Sequence, residues 1–237
     1  MFKNLRLENI LITDSETTLI DSLSSTIELQ STVLMLADNS FALKSLIKSI
    51  GGIYPPNSGR ILLDDIDIFS NDRINEDLIK KNISFIFEKG ALLSNLSILQ
   101  NLLLTLDFHF PNEDHNKKIK RINAYLNEFE LNINLNDRPS QLNIEQIKLL
   151  GFIRGLLSEP EIIIYDEPFR YTDANSKKII IRKMKELKGN NITQIIKTQF
   201  NEDFVKFCNL IYYIINGKLI FSGSLKDFIN SQFEFRG

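Results

Sequence analysis

Two short runs, Val33–Leu36 and Glu161–Tyr165, are apolar almost throughout, and each passes straight into polar residues. A strand without in-and-out alternation is covered on both faces, as in a sheet that carries helices. Behind the first run, Phe41, Leu43, Leu46, Ile47 and Ile50 follow helical spacing until Gly51-Gly52 and Pro55-Pro56 stop it. Strand, loop and helix therefore come in that order, and the chain belongs to the α/β class.

The remaining pattern extends this frame. Leu5, Leu7, Ile10 and Ile12, then Leu19–Leu29, alternate as strands ahead of Val33. Further strands are expected at Ile61–Leu63 and Ile83–Phe87. Helical pattern occupies the stretch up to Pro139, including Leu99–Leu106 and Lys118–Leu131, and resumes over Ile144–Leu157 until Pro160 breaks it. After the second apolar run come a helix at Asn175–Leu187, a strand at Ile192–Lys197, a helix at Glu202–Cys208 and a hairpin around Asn216-Gly217. The expectation is one domain over residues 1–237, with a largely helical insertion between about 88 and 158.

Composition removes several function classes. With 43% apolar and 24% charged residues in 237, the chain has the material for a substantial core. A net charge of −2 gives no footprint for nucleic acid, and Lys80-Lys81 and Lys117–Arg121 read as solvated surface. A single Cys208 allows no internal disulfide, and His109 and His115 are too few for a Cys/His zinc site. No apolar run reaches the roughly 18 residues of a membrane span, and the start, MFKNLRLENI, lacks the pattern of a signal peptide. Work at a membrane would go through a partner.

Two stretches carry chemistry. Asp166-Glu167, at the end of a buried strand, places two carboxylates at the edge where α/β sheets take ligands; in nucleotide hydrolases such a pair holds Mg²⁺ and polarises water. Residues 33–59, VLMLADNSFALKSLIKSIGGIYPPNSG, have the frame of a phosphate-binding element without its glycines and lysine.

With these two in order, the chain resembles the ATP-binding cassette subunits of ABC transporters over nearly its whole length. The likeness is strongest to the cassette of Mla/Mce-type phospholipid transporters, through LIKSIGGIYPPNSGRILLD, FIFEKGALLSNLSILQN, RPSQLNIEQIKLLGFIRGLL and IIIYDEPFRYTDA. The resemblance implies an ABC-type P-loop NTPase fold: a mixed-sheet core, an N-terminal antiparallel β subdomain and an inserted helical subdomain. In the family the Walker lysine lies sixteen residues before the glycine of the P-x-S-G turn, so Gly59 puts that position at Leu43. The Walker glycines then fall on Ala37, Ser40 and Ala42, the metal-binding hydroxyl on Lys44 and the next hydroxyl on Ser45. Sliding the frame to make Lys44 the Walker lysine needs a deletion inside the helix, which would turn its apolar face by about 100°. The family's Q-loop glutamine becomes Glu88, its switch histidine Gln199 after Thr198, and Asp14 stands near the place of the adenine-stacking aromatic. The signature LSGGQ, which caps the partner's ATP, reads Leu142-Asn143-Ile144-Glu145-Gln146. There Asn143 can still cap a helix, and Glu145 sets a carboxylate against phosphate. Asp173 matches the D-loop aspartate. Asp166 as metal ligand and Glu167 as residual catalytic carboxylate are retained.

These replacements imply a degenerate, non-catalytic cassette that binds no cofactor tightly. It would dock on an integral-membrane permease with an Mce-type substrate-binding protein, as a dimer with itself or another cassette, on the cytoplasmic face of the inner membrane. The Glu88–Leu106 segment, where the family receives its membrane subunit, keeps its pattern better than the phosphate loops do. The alternative is an active Mg-ATPase in which Lys44, Glu88 and Glu167 form a rearranged site. A third reading, a free regulatory or translation-associated cassette, is opposed by the lack of a second cassette or basic arm in these residues.

Overall fold

The protein is described here by a computed structural model covering residues 2–70, 72–199 and 202–231. In chain order the elements are β1 (Asn4–Asp14), β2 (Thr17–Glu28), β3 (Thr32–Ala37), α1 (Ser40–Ile50), β4 (Ser58–Leu63), β5 (Ile66–Asp67), α2 (Arg73–Asn82) and β6 (Ile83–Ile86). Then follow α3 (Ile98–His109), α4 (His115–Glu128), α5 (Ile144–Leu157), β7 (Ile162–Asp166), α6 (Ala174–Gly189), β8 (Thr193–Lys197), α7 (Glu202–Val205), β9 (Leu210–Ile215), β10 (Lys218–Gly223) and α8 (Leu225–Asn230).

Two sheets organise these elements. The first strands form an antiparallel sheet in the order β2-β1-β4-β5, and the second sheet runs β10-β9-β3-β8-β7-β6. Its inner pairings are parallel, while β10 closes antiparallel on β9 through Asn216 (φ 49°) and Gly217 (φ 75°), both left-handed as a tight hairpin requires.

The uninterrupted apolar runs follow from the position of this second sheet between two layers. Leu34 and Leu36 of β3, with Ile163 and Tyr165 of β7, face an apolar cluster completed by α3, α5 and α6. Val33 and Met35, with Ile162 and Ile164, face the opposite cluster, shared with α1 and the antiparallel sheet. Each strand residue thus buries its side chain on one side or the other, which removes the alternation a one-sided strand would show.

Several sequence expectations need correction. The helix expected over Glu202–Cys208 is the single turn of α7, because the chain turns again at Lys206 and Phe207. The strand expected to reach Phe87 ends at Ile86. The helices α2 and α8 were not foreseen: α2 is polar apart from residues such as buried Ile79, and α8 buries only Phe228.

One close approach seats α5. Gly90 has φ +76°, and a Cβ there would strike the carbonyl of Ile147, while a Cβ on Gly151 would strike the backbone of Gly90. Only two glycines let the helix lie backbone against backbone on the segment after β6. Arg154 secures that contact by donating to the Ala91 and Gly90 carbonyls at 2.9 and 3.2 Å. Further along the same segment, buried Asn101 accepts from the Leu93 N–H at 2.7 Å and donates to the Leu93 and Ser97 carbonyls at 3.0 and 2.9 Å, bracing the entry to α3.

Candidate functional site

The parallel strands β3, β6, β7 and β8 deliver their last residues to one edge, the edge where sheets of this kind take ligands. Two sides of that edge differ in chemistry.

On the first side, only Asp38 and Asn39 separate β3 from α1. Asn39 is extended (φ −111°, ψ 103°), and its side-chain oxygen accepts from the N–H groups of Phe41 and Ala42 at 3.0 and 3.1 Å. Those are first-turn amides that an anion at a helix N-terminus would use, and the carboxamide takes both. None of residues 37–45 adopts the positive φ by which a glycine-rich loop turns successive amides toward one point. Leu43, at the position of the Walker lysine in the ungapped frame, is 3% exposed and packs with Leu46, Ile47 and Ile50. Phe41 is 56% exposed instead. Asp38 adds a carboxylate, which accepts from the Asn216 N–H at 3.0 Å.

On the second side the carboxylates are paired with cations. Lys44 Nζ lies 2.8 Å from Glu88 Oε2 and 3.3 Å from Asp166 Oδ2. Arg170 Nη1 approaches the other Glu88 oxygen at 2.9 Å. Lys197, the register partner of Asp166 across β7 and β8, places Nζ 2.8 Å from Glu167 Oε1 and 3.3 Å from Asp166 Oδ1. The longer contact is within ion-pair reach, yet Asp166 Oδ1 has no directed hydrogen bond although it is buried. Glu167 is held at φ 50° by its own N–H, which donates to the Lys197 carbonyl at 2.9 Å.

Beneath this layer Lys148 is 0% exposed and donates from α5 to the carbonyls of Phe87 and Glu167 at 3.1 and 3.0 Å, with that of Asp166 at 3.4 Å. Glu88, Asp166 and Glu167 therefore face Lys44, Lys148, Lys197 and Arg170. Burial drags the Lys148 ammonium down to about 8, against the pull of Asp166, Glu88 and Glu167. Burial also works against Lys44, but the hydrogen bond to Glu88 and the Asp166 charge outweigh it and hold its pKa above the ordinary value. The Lys44 hydrogen bond in turn holds the Glu88 carboxyl below the usual range. An open cleft of about 460 Å³ lies beside the cluster and is lined by Lys44, Glu88, Asp166 and Tyr171.

The segment Leu142–Gln146 forms the start of α5. Asn143 caps it in a reciprocal box with Gln146: the Gln146 N–H donates to Asn143 at 2.9 Å and the Asn143 N–H to Gln146 at 3.0 Å. The Glu145 carboxylate accepts from the Asp173 N–H at 2.7 Å, within its own chain. Asp173 caps α6, and the Ser176 N–H it accepts at 2.7 Å pulls its pKa down. Ile144 stays 43% exposed.

The structure thus gathers Lys44, Glu88, Asp166 and Glu167, and separately Glu145 and Asp173. Ala37 ends β3, exposed Ser40 opens α1, and half-buried Ser45 lies along it. Gln199 is exposed just past β8. Asn39, Lys148, Arg170 and Lys197 were missed from the sequence. Asn39 one residue ahead of a helix is a cap signature, and Lys148 interrupts an otherwise apolar run.

Among the described residues no helix is long and apolar enough to cross a membrane. The fold is that of solved cassettes: the dimeric structure of the bacterial ABC transporter cassette MJ0796 superposes with a TM-score of 0.83 at 21% identity, covering 93% of this chain and 98% of that one. The sulfate/thiosulfate import ATP-binding protein CysA of Synechocystis is 27% identical over 79% of this chain, which spans about half (51%) of that relative's length. The intermembrane phospholipid transport system ATP-binding protein MlaF of Haemophilus influenzae is 24% identical over 96% of this chain and 86% of its own. The model of the ABC transporter family matches residues 20–170, and this chain belongs to that family.

Proposed function

We propose that the chain is a cassette subunit that docks on the permease of a phospholipid transporter of the Mla/Mce kind and does not hydrolyse ATP. The observation that carries this reading is the Asn39 cap, which occupies the amides a nucleotide phosphate would need. Mg-ATP does not fit the groups around it. A buried leucine stands at the place of the phosphate-binding cation, Asp38 and Glu145 bring carboxylates, and the acidic pair at the end of β7 is matched by ammonium groups. The end-to-end match to the Haemophilus phospholipid-system protein supports the transporter class. In this reading an Mce-type binding protein and a second cassette complete the assembly at the cytoplasmic face of the membrane.

The test is Mg-ATP turnover by the complete complex purified through this subunit, with wild type and Glu167→Gln compared at equal assembly. The expected result is no turnover that depends on Glu167. Turnover that vanishes in the variant would instead establish a rearranged Mg-ATPase built on Lys44, Glu88 and Glu167.

A further inference from the structure

The helical insertion between β6 and β7 meets the rest of the chain along two separate lines. On the first, Gly90 and Gly151 let α5 lie against the segment after β6, and Arg154 ties the two together. A body held at one such seat can still pivot about it. We infer that α6 is a clasp along the second line, holding Glu128, Glu130 and Glu145 of the insertion so that the insertion cannot swing against the parallel sheet.

The contacts run along α6 from its cap to its third turn. At the start the Glu145 carboxylate of α5 accepts from the Asp173 N–H at 2.7 Å, and two residues on the Asn175 carboxamide donates to Glu130 at 2.9 Å. Farther along, Arg182 donates to the carbonyl of Glu128, the last residue of α4, at 3.3 Å, and Lys183 donates to the Glu128 carboxylate at 3.2 Å. Asn175, Ile179 and Arg182 have the spacing of one helix face, and buried Ile179 shares an apolar cluster with Leu126 and Phe129 of the insertion. From Asp173 to Lys183 the line covers about 15 Å of helix axis. Contacts spread over that length oppose a rotation that a single seat would permit. Lys183 is the best-enclosed member, with 7% exposure and the Tyr125 ring centred 5.2 Å from its ammonium. Burial works against that charge, but the hydrogen bonds to Glu186 and Glu128 outweigh it and hold the pKa above the ordinary value.

The experiment measures the distance between spin labels on the full chain by pulsed electron paramagnetic resonance, without nucleotide. The labels sit at two exposed positions, Lys120→Cys in α4 and Thr26→Cys in β2. Cys208 stays in place, since burial pushes its thiol up to about 12 and keeps it unreactive. The clasp-free variant is Glu128→Gln/Glu145→Ala/Asn175→Ala, and Arg60→Met, which removes a surface ion pair to Glu8 on the antiparallel sheet, is the control. Melting curves come first; where the triple variant melts below the assay temperature, Glu145→Ala/Asn175→Ala takes its place and leaves Lys183 paired. The labelled wild type and the control should give one narrow distribution, and the clasp-free variant one at least about twofold wider. The inference is overturned if the wild type is already as wide as the variant, if the variant stays as narrow as the wild type, or if Arg60→Met widens the distribution equally. No outcome depends on nucleotide or on a permease, so this inference can fail while the proposed function stands.

Discussion

The turn between β3 and α1 and the acidic end of β7 lie on one sheet edge, yet they are built in opposite ways. At the turn the backbone groups are satisfied locally: the helix starts at Ser40, and the Asn39 carboxamide caps it. At β7 the carboxylates meet cations brought by two other elements, Lys44 from α1 and Lys197 from β8. The difference teaches that a motif is a statement about neighbours. Asp166-Glu167 read alone suggests a metal centre, while the same pair beside two ammonium groups is already neutralised.

That contrast can be tested by perturbing each side. The largest effect is expected from Gly151→Val, which would drive α5 off Gly90 and carry Lys148 away from the carbonyls of Phe87 and Glu167. Urea melts should show a loss of more than about 3 kcal/mol. A small loss would mean that the glycine contact does not seat the cation layer. Next comes Lys148 itself. Its folded pKa of about 8 lies below the ordinary lysine value of 10.5, so the unfolded chain binds the extra proton between these values. Wild-type stability should therefore rise with pH across that window, by up to about 1.4 kcal/mol per unit relative to Lys148→Met. Paired melts of the two proteins from pH 7 to 10.5 measure the difference, and parallel curves would remove Lys148 from the charge balance.

On the turn side, Asn39→Ala should cost about 1 kcal/mol through loss of the cap, whereas Asn39→Gly should cost only a few tenths. Neither should acquire a nucleotide-dependent thermal shift, since Leu43 stays buried; a shift in the glycine variant would show that the cap alone had been blocking phosphate. The smallest expected change is for Glu88→Gln, about 0.5–1 kcal/mol, because Lys44 and Arg170 are partly solvated. Glu88 is held below its usual value of 4.5, so its contribution is present above that pH and fades as pH falls through the lowered value. Acid melts of the two proteins should accordingly converge at low pH.

Much of the fold was legible because strands covered on both faces announce themselves as apolar runs, as Val33–Leu36 and Ile162–Tyr165 do. Helices that bury little escaped notice, α8 through Phe228 alone being the plainest case. In the site, the apolar spacing of Leu43, Leu46, Ile47 and Ile50 announced the buried face of α1, but the shortness of the turn depended on Asn39 acting as a cap. Lys197 and Arg170 were not legible, since a cation's default is the solvated surface. Only tertiary packing shows Lys148 under three carbonyls and Lys197 beside Asp166.

The burial of Leu43 also bears on how the chain could change over generations. A lysine at this position would set an ammonium among Leu46, Ile47 and Ile50, with no carboxylate of that cluster to receive it. A lysine here would therefore cost stability before it could serve any phosphate chemistry. Such a position acts as a ratchet. Placing a cation and free amides at this turn would mean rebuilding the turn, the helix start and the packing of α1 together.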